Sequence, residues 1–186
     1  MYSLEYMLSE EELIHKCIVG DRIAQKELYE KYNSMFYALC LRYMPSEEDA
    51  EDVLVMGFTS IFSKLETFEG KGSFEGWMRR IIINTALTTL RINSKHYRMR
   101  SESESESEKN ILSENKNTIY SKLNVKDILN QIQQMPTGYR IVFNLYAIEG
   151  YSYEEIAEIM GISKNTVRSQ LSKARKMLQK KLQIFR

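Results

Sequence analysis

From residue 9 to about residue 95, apolar positions recur every three or four residues with few interruptions, and the same period returns from 125 to 178 after a polar interval. That spacing predicts helices throughout. Ser9, with Glu12 three residues on, reads as a capping box opening a short helix over 9–19 that Gly20 ends. After Asp21, the stripe Leu28, Tyr32, Met35, Phe36, Leu39 and Tyr43 predicts a long helix that is over before Pro45. Ser46 and Asp49 open a third, with Ala50, Val53, Leu54, Gly57, Phe58, Ile61, Phe62 and Leu65 toward a core. The run ETFEGKGS is a glycine loop, and Ser73 caps a fourth helix from Phe74 to about Lys95.

In the second periodic stretch, Val125, Ile128, Leu129 and Ile132 predict a helix ending before Pro136. Thr137 is the expected cap of the next, which runs through Glu149 to Gly150 and presents Ile141, Val142, Leu145 and Ile148 to its neighbours. Residues 152–176 read as two helices joined by a tight turn. Ser152 and Glu155 form a second capping box, Ile156, Ala157 and Met160 an apolar stripe, and Gly161 a stop. Ser163 caps the last helix, whose Val167, Leu171, Ala174 and Leu178 share one face while Asn165, Arg168, Ser169, Ser172, Lys173 and Lys176 share another. The chain is therefore expected to be all-α, with two small helical domains at 1–97 and 125–186 and a connector at 98–124.

Charge sharpens this division. The chain has 186 residues and a net charge of only +1, yet residues 1–100 carry −2, 101–124 carry −2 and 125–186 carry +5. From Ser163 to Arg186 there are eight Lys or Arg and no acid. A helix-turn-helix with a basic second helix suits the DNA major groove. Arg168 has the fork for guanine, Ser169 and Ser172 are permissive hydrogen-bonders, and Lys164, Lys173, Arg175 and Lys176 suit phosphates. A solvated amphipathic helix with cations near its C-terminus is the plainer alternative.

The connector changes character, with KHYRMR giving way to SESESESEKN. Alternating Ser and Glu buries no apolar area, so a flexible acidic linker is expected. At roughly 3.3 Å per residue its 24 residues from 101 to 124 reach about 80 Å, beyond two turns of duplex at roughly 34 Å each. Cys17 and Cys40 stand apart and are expected to be buried thiols. His15 near Cys17 makes no metal site, because the two lie on different sides of a helix. No signal peptide and no membrane-length apolar run is seen, so a cytoplasmic protein without metal or cofactor is expected.

Taken together, DAEDVLVMGFTSIFSKL, FEGKGSFEGWMRRIIINTALTTLR and MPTGYRIVFNLYAIEGYSYEEIAEIMGISKNTVRSQLSKARKML resemble the extracytoplasmic-function class of bacterial RNA polymerase sigma factors. The resemblance implies a region-two domain, a linker and a region-four domain, with no catalysis of the protein's own. It implies that region four reads the −35 element as duplex through Arg168, Ser169, Ser172 and Lys173. Lys164, Asn165, Thr166, Arg175 and Lys176 complete that helix's DNA face. Region two is implied to open the −10 element and take a base into the loop Phe68, Glu69, Gly70, Lys71, Gly72 and Ser73, with Arg79, Arg80, Asn84 and Arg91 along the single strand. Trp77 is either core indole or a stacking platform.

The resemblance further implies docking on the largest-subunit clamp helices of core RNA polymerase through Asp49, Glu51, Asp52 and Met56, and on the flap through region four. Many relatives place a Gln-Glu or Gln-Asp pair where this chain has Val55 and Met56, which leaves an apolar contact, a weaker affinity or a partner covering this face as the alternatives. Promoter DNA and an anti-sigma factor are the other implied partners. Glu102, Glu104, Glu106 and Glu108 could imitate RNA in the active-centre cleft, or simply keep the linker soluble.

Two rival classes are weaker. A helix-turn-helix repressor or activator acting as a dimer without polymerase needs a self-association face, and no extended heptad seam is present. An enzyme on nucleic acid needs a phosphate loop, a metal cluster or a nucleophile-base pair, and the sequence has none of these patterns.

Overall fold

The computed structural model describes residues 9–101 and 125–183, and the side chains of 9–93 and 127–180 among them. The described residues form eight α-helices and no strand. They divide into two compact units, one holding α1, α3, most of α2 and α4 as far as Leu90, the other holding α5 to α8.

In the first unit α1 spans Glu10–Ile18, α2 Arg22–Tyr43, α3 Glu47–Lys64 and α4 Phe74–Ser101, with a single 3₁₀ turn at Leu65–Thr67 after α3. The Ser9–Glu12 capping box forms in both directions. Asp21 opens α2, its carboxylate accepting from the Ile23 and Ala24 amides at 2.8 and 3.2 Å. Ser46 accepts from the Asp49 amide to start α3, and Ser73 accepts from the Gly76 amide to start α4. Leu28, Tyr32, Phe36 and Leu39 of α2 are buried against Ala50, Val53, Leu54, Phe58 and Ile61 of α3 and Met78, Ile82, Ile83 and Ala86 of α4. Met35 and Phe62 lie only half-buried at the margins of their stripes.

One glycine sets how closely these helices meet. A Cβ on Gly57 would lie 2.3 Å from Ile82 Cδ1, so α3 and α4 touch where the α3 side chain is missing. Cys17 and Cys40 are both buried thiols. α4 continues to Ser101, beyond the stop expected near Lys95, because Lys95 to Arg100 include neither proline nor glycine to end it. The acidic run at 102–124, with Glu102, Glu104, Glu106 and Glu108, lies outside the described residues.

In the second unit α5 spans Val125–Gln133, α6 Thr137–Phe143, α7 Tyr153–Met160 and α8 Lys164–Gln183. Ile132, Met135 and Ala174 form a buried cluster, joined by Ile128, Tyr139, Phe143 and Leu178. Val142, Leu145, Ile156, Val167 and Leu171 complete the interior. The buried Arg140 guanidinium donates to the Gln133 carbonyl at 2.7 Å, which ties the end of α5 to α6.

Two expectations about this unit need correction. Thr137 does not cap α6: Pro136 occupies the N-cap, and Thr137 is the first helical residue. Nor does α6 stay regular to Glu149, since Asn144–Ile148 is a π turn, closed by the Glu149 amide on the Asn144 carbonyl at 3.0 Å. The wider turn inserts a residue into the period, so Ile148 rotates out of the apolar stripe and is 42% exposed.

Candidate nucleic-acid interface

The helix-turn-helix forms as its caps dictate. Ser152 and Glu155 close a capping box on α7, Gly161 takes φ +67 in the left-handed region, and Ser163 accepts from the Thr166 amide at 3.1 Å to start α8. Ile156 is buried, whereas Ala157 and Met160 are only half-buried. Val167, Leu171 and Ala174 seat α8 on α6 and α7. The opposite face therefore stays open: Lys164, Asn165, Arg168, Ser169, Ser172, Lys173, Arg175 and Lys176 are all exposed, and Thr166 is half-buried.

Several of these groups are already held. Lys164 pairs with Glu154 of α7, and that pairing holds the Glu154 carboxyl below its ordinary pKa. Arg168 lies over the ring of Tyr153 with its guanidinium carbon 5.5 Å from the centroid, and Arg175 over Tyr146 at 5.3 Å. Lys173 sits 5.9 Å from the ring centre of Tyr139. The rings of Tyr146 and Tyr153 stack at 4.8 Å with 11° between their planes. These three tyrosines carry neither a cation nor an amide to mark them in the sequence as part of a DNA face. Their trace in the sequence is a seven-residue spacing at 139, 146 and 153, echoed by Arg168 and Arg175.

The loop of the first unit is a second open surface. Gly70 and Gly72 take φ +70 and +89, and a Cβ at either would meet nothing within 4 Å. Glycine is required there for backbone conformation, and the space around it is free. Glu69, Gly70, Lys71, Gly72 and Ser73 are exposed, with Lys71 and Glu69 paired at 2.6 Å. Phe68 instead anchors the loop, its ring 5.1 Å from Phe74 and 5.5 Å from Trp77. Trp77 is half-buried and stacked on Phe74 at 5.7 Å, so it braces the loop from below.

Along α4, Arg80, Asn84, Thr88 and Arg91 are exposed, with Arg80, Asn84 and Thr88 on one helical stripe. Thr88 was not anticipated from sequence. Arg79 is turned elsewhere: half-buried, it donates to Glu75 at 2.8 Å and approaches Met35 Sδ at 3.7 Å. Adjacent positions on a helix point about 100° apart, and the second arginine of the pair takes the open side.

A third surface lies on α2 and α3. Glu51, Asp52, Val55 and Met56 are exposed, Val55 by 61% and Met56 by 42%. Asp49 is half-buried and engaged with the Ser46 hydroxyl at 2.6 Å, so part of its charge serves the cap. Beside them a groove of about 380 Å³ is lined by Tyr29, Asn33, Ser34, Tyr37, Glu51, Leu54 and Val55. No group of His, Cys, Asp and Glu among the described residues could hold a metal, and no helix among them is long and apolar enough to cross a membrane.

Comparison with known proteins identifies the family of each unit. Residues 28–96 match the family model of sigma-70 region 2, and residues 126–178 that of sigma-70 region 4. The chain is 28% identical over 192 residues to the ECF RNA polymerase sigma-E factor of Haemophilus influenzae, covering 95% of this chain and 96% of the relative. The sigma-E factor of Escherichia coli K12 is 29% identical over 183 residues, covering 95% of each. Among solved structures, the Bartonella quintana sigma factor RpoE, crystallised with the anti-sigma factor NepR, superposes with a TM-score of 0.56 at 22% identity, over 87% of this chain and 98% of that one.

Proposed function

This chain belongs to the extracytoplasmic-function class of sigma-70 RNA polymerase sigma factors, and from that premise we propose how its three open surfaces divide the work of promoter recognition. As a sigma factor it directs core RNA polymerase in transcription initiation. In the finer reading α8 lies on the −35 element as duplex. Arg168, Ser169, Ser172 and Lys173 face base edges, Lys164, Thr166, Arg175 and Lys176 hold backbone, and Asn165 shares the same DNA face.

The loop at 68–73 receives a base drawn from the −10 element, and Arg80, Asn84 and Arg91 guide the melted strand along α4. Unstacking a base costs a few kcal/mol, which contacts to the flipped base and neutralised phosphates must offset. The observation that carries this reading is the pairing, in one chain, of an open basic recognition helix with an open glycine loop that leads into the helix carrying the exposed Asn84.

Asp49, Glu51, Asp52 and Met56 dock on the clamp helices of the polymerase's largest subunit. Val55 and Met56 make that contact apolar where many relatives are polar. The second unit engages the flap, and an anti-sigma factor restrains the protein by covering polymerase-binding faces, as the complex formed by the Bartonella relative suggests. The chain contributes no catalysis of its own; it positions the polymerase's.

Reconstitution with core polymerase tests the reading. The full chain with core should initiate from one promoter class, and Asn84→Ala should leave duplex binding intact while reducing permanganate reactivity of the bubble. Normal reactivity would remove Asn84 from the strand path. Tight binding of a palindrome with no response to core would favour an operator-binding regulator instead.

A further inference from the structure

Arginines on an exposed helix normally sample many rotamers and lose that freedom when they bind DNA. Arg168 and Arg175 are placed differently. They stand seven residues, two helical turns, apart on α8, and each lies over one ring of the stacked pair Tyr153 and Tyr146. The contacts run Arg168, Tyr153, Tyr146, Arg175. A guanidinium within about 6 Å of a ring centre is drawn to its electron-rich face, and stacking fixes the two rings against each other.

The backbone is arranged to supply this platform. Tyr153 is the first residue of α7, directly after its capping box, and Tyr146 projects from the π turn at Asn144–Ile148. That turn shifts the period of the segment, and with it the direction of Tyr146. Single π turns of this kind concentrate at functional sites. The adjoining Tyr146 side chain, followed by burial, raises the Tyr153 pKa. A phenol is already neutral in the physiological range, and this environment keeps it so.

We propose that Tyr146 and Tyr153 are positioning residues for DNA recognition, a stacked platform that holds the Arg168 and Arg175 guanidiniums in place before the duplex arrives. This rests on the reading of α8 as the helix that enters the duplex. The rings touch no DNA themselves; they lower the ordering cost of the two arginines. Removing the platform should therefore weaken duplex binding only while the arginines are present.

The test is a double-mutant cycle on the full chain bound to core polymerase, using a duplex whose upstream element has been enriched from a random library. Tyr153→Leu should weaken binding roughly three- to ten-fold in the Arg168 background and leave it unchanged in Arg168→Ala. Tyr153→Phe, which keeps the ring, should restore near wild-type affinity. An equal loss in both backgrounds, or no loss while Arg168→Ala binds poorly, overturns the platform and spares the reading of α8. Unchanged binding by Arg168→Ala overturns both. A second measurement covers the case in which Tyr153→Leu folds poorly: in the free wild-type protein the Arg168 δ protons should be shifted upfield by the ring current. Unshifted δ protons there overturn the platform independently of DNA.

Discussion

The two units use aromatic side chains for opposite ends. In the first, Phe36, Phe58 and Phe74 lie at 3% exposure or less, and the rings meet one another, Phe36 with Phe58 at 5.9 Å and Tyr32 with Phe74 at 6.4 Å, both edge to face. In the second, the rings of Tyr139, Tyr146 and Tyr153 sit half-buried, each beneath a cation of α8. The same chemistry that fills a core can line the underside of a binding face. What separates the cases is the neighbour: a ring walled in by other apolar side chains gains from complete burial, whereas a tyrosine at the boundary keeps a wet edge and offers its face to a guanidinium or ammonium.

The largest expected effect follows from that contrast. Phe36→Ala removes a ring at 0% exposure, and large-to-small changes of this kind cost about 3–5 kcal/mol. Tyr139→Ala, at the boundary of the second unit, should cost markedly less. Urea unfolding followed by circular dichroism measures both, and Trp77, the only tryptophan, reports the first unit by fluorescence. Equal losses would break the distinction between core rings and boundary rings.

A smaller effect probes how tightly the aromatic unit is closed. Gly57→Ala gains about 1 kcal/mol of helix propensity but forces its Cβ against Ile82 Cδ1, and overpacking a core costs about 1–3 kcal/mol. Ile82 is fully buried, so it has little room to yield and the net change should destabilise. Ile82→Val removes the clashing methyl and should make Gly57→Ala less costly in that background. Additive losses would show that the approach of α3 to α4 is not what Gly57 serves.

Gly161→Ala is the counterpart in the second unit. Its surroundings are open, and only the φ of +67 opposes a side chain, at a cost of about 1–2 kcal/mol. No compensating core change should relieve it. A neighbour substitution that restores stability would mean the helix-turn-helix is closed by packing rather than by backbone conformation.

The same division explains what could be read from sequence. Caps and stripes are local, so Ser9, Ser46, Ser73, Ser152 and Ser163 marked their helices, and the core of the first unit followed from the period. The open face of α8 followed too, because the buried stripe defines its opposite. The π turn did not, since no residue type signals it, and Thr137 resembled a cap although Pro136 holds that position. Ile148 was misplaced as a consequence. The ring-cation contacts of Tyr139, Tyr146 and Tyr153 join elements far apart in the chain, and only the fold shows that they meet α8. Likewise the commitment of Arg79 to Glu75, leaving Arg80 open, depends on where α4 faces.

The smallest effect concerns a device that the two units share. Ser9 with Glu12, and Ser152 with Glu155, each exchange amide and side-chain hydrogen bonds, at 2.9 and 3.2 Å in the first and 2.8 and 3.2 Å in the second. Ser9→Ala and Ser152→Ala should each cost about 1 kcal/mol. The carboxylate half of the first box is also a proton switch. The Ser9 amide, then the Ser9 hydroxyl, hold Glu12 below its ordinary pKa of 4.5. Its stabilising contribution is thus complete above the unfolded pKa and lost as pH falls through the lower folded one. In Glu12→Gln the group no longer titrates, so the part of the acid-side decline in melting temperature that belongs to this carboxyl should vanish, while stability at pH 7 falls slightly. An acid profile identical to wild type would mean that the box closes through the serine alone.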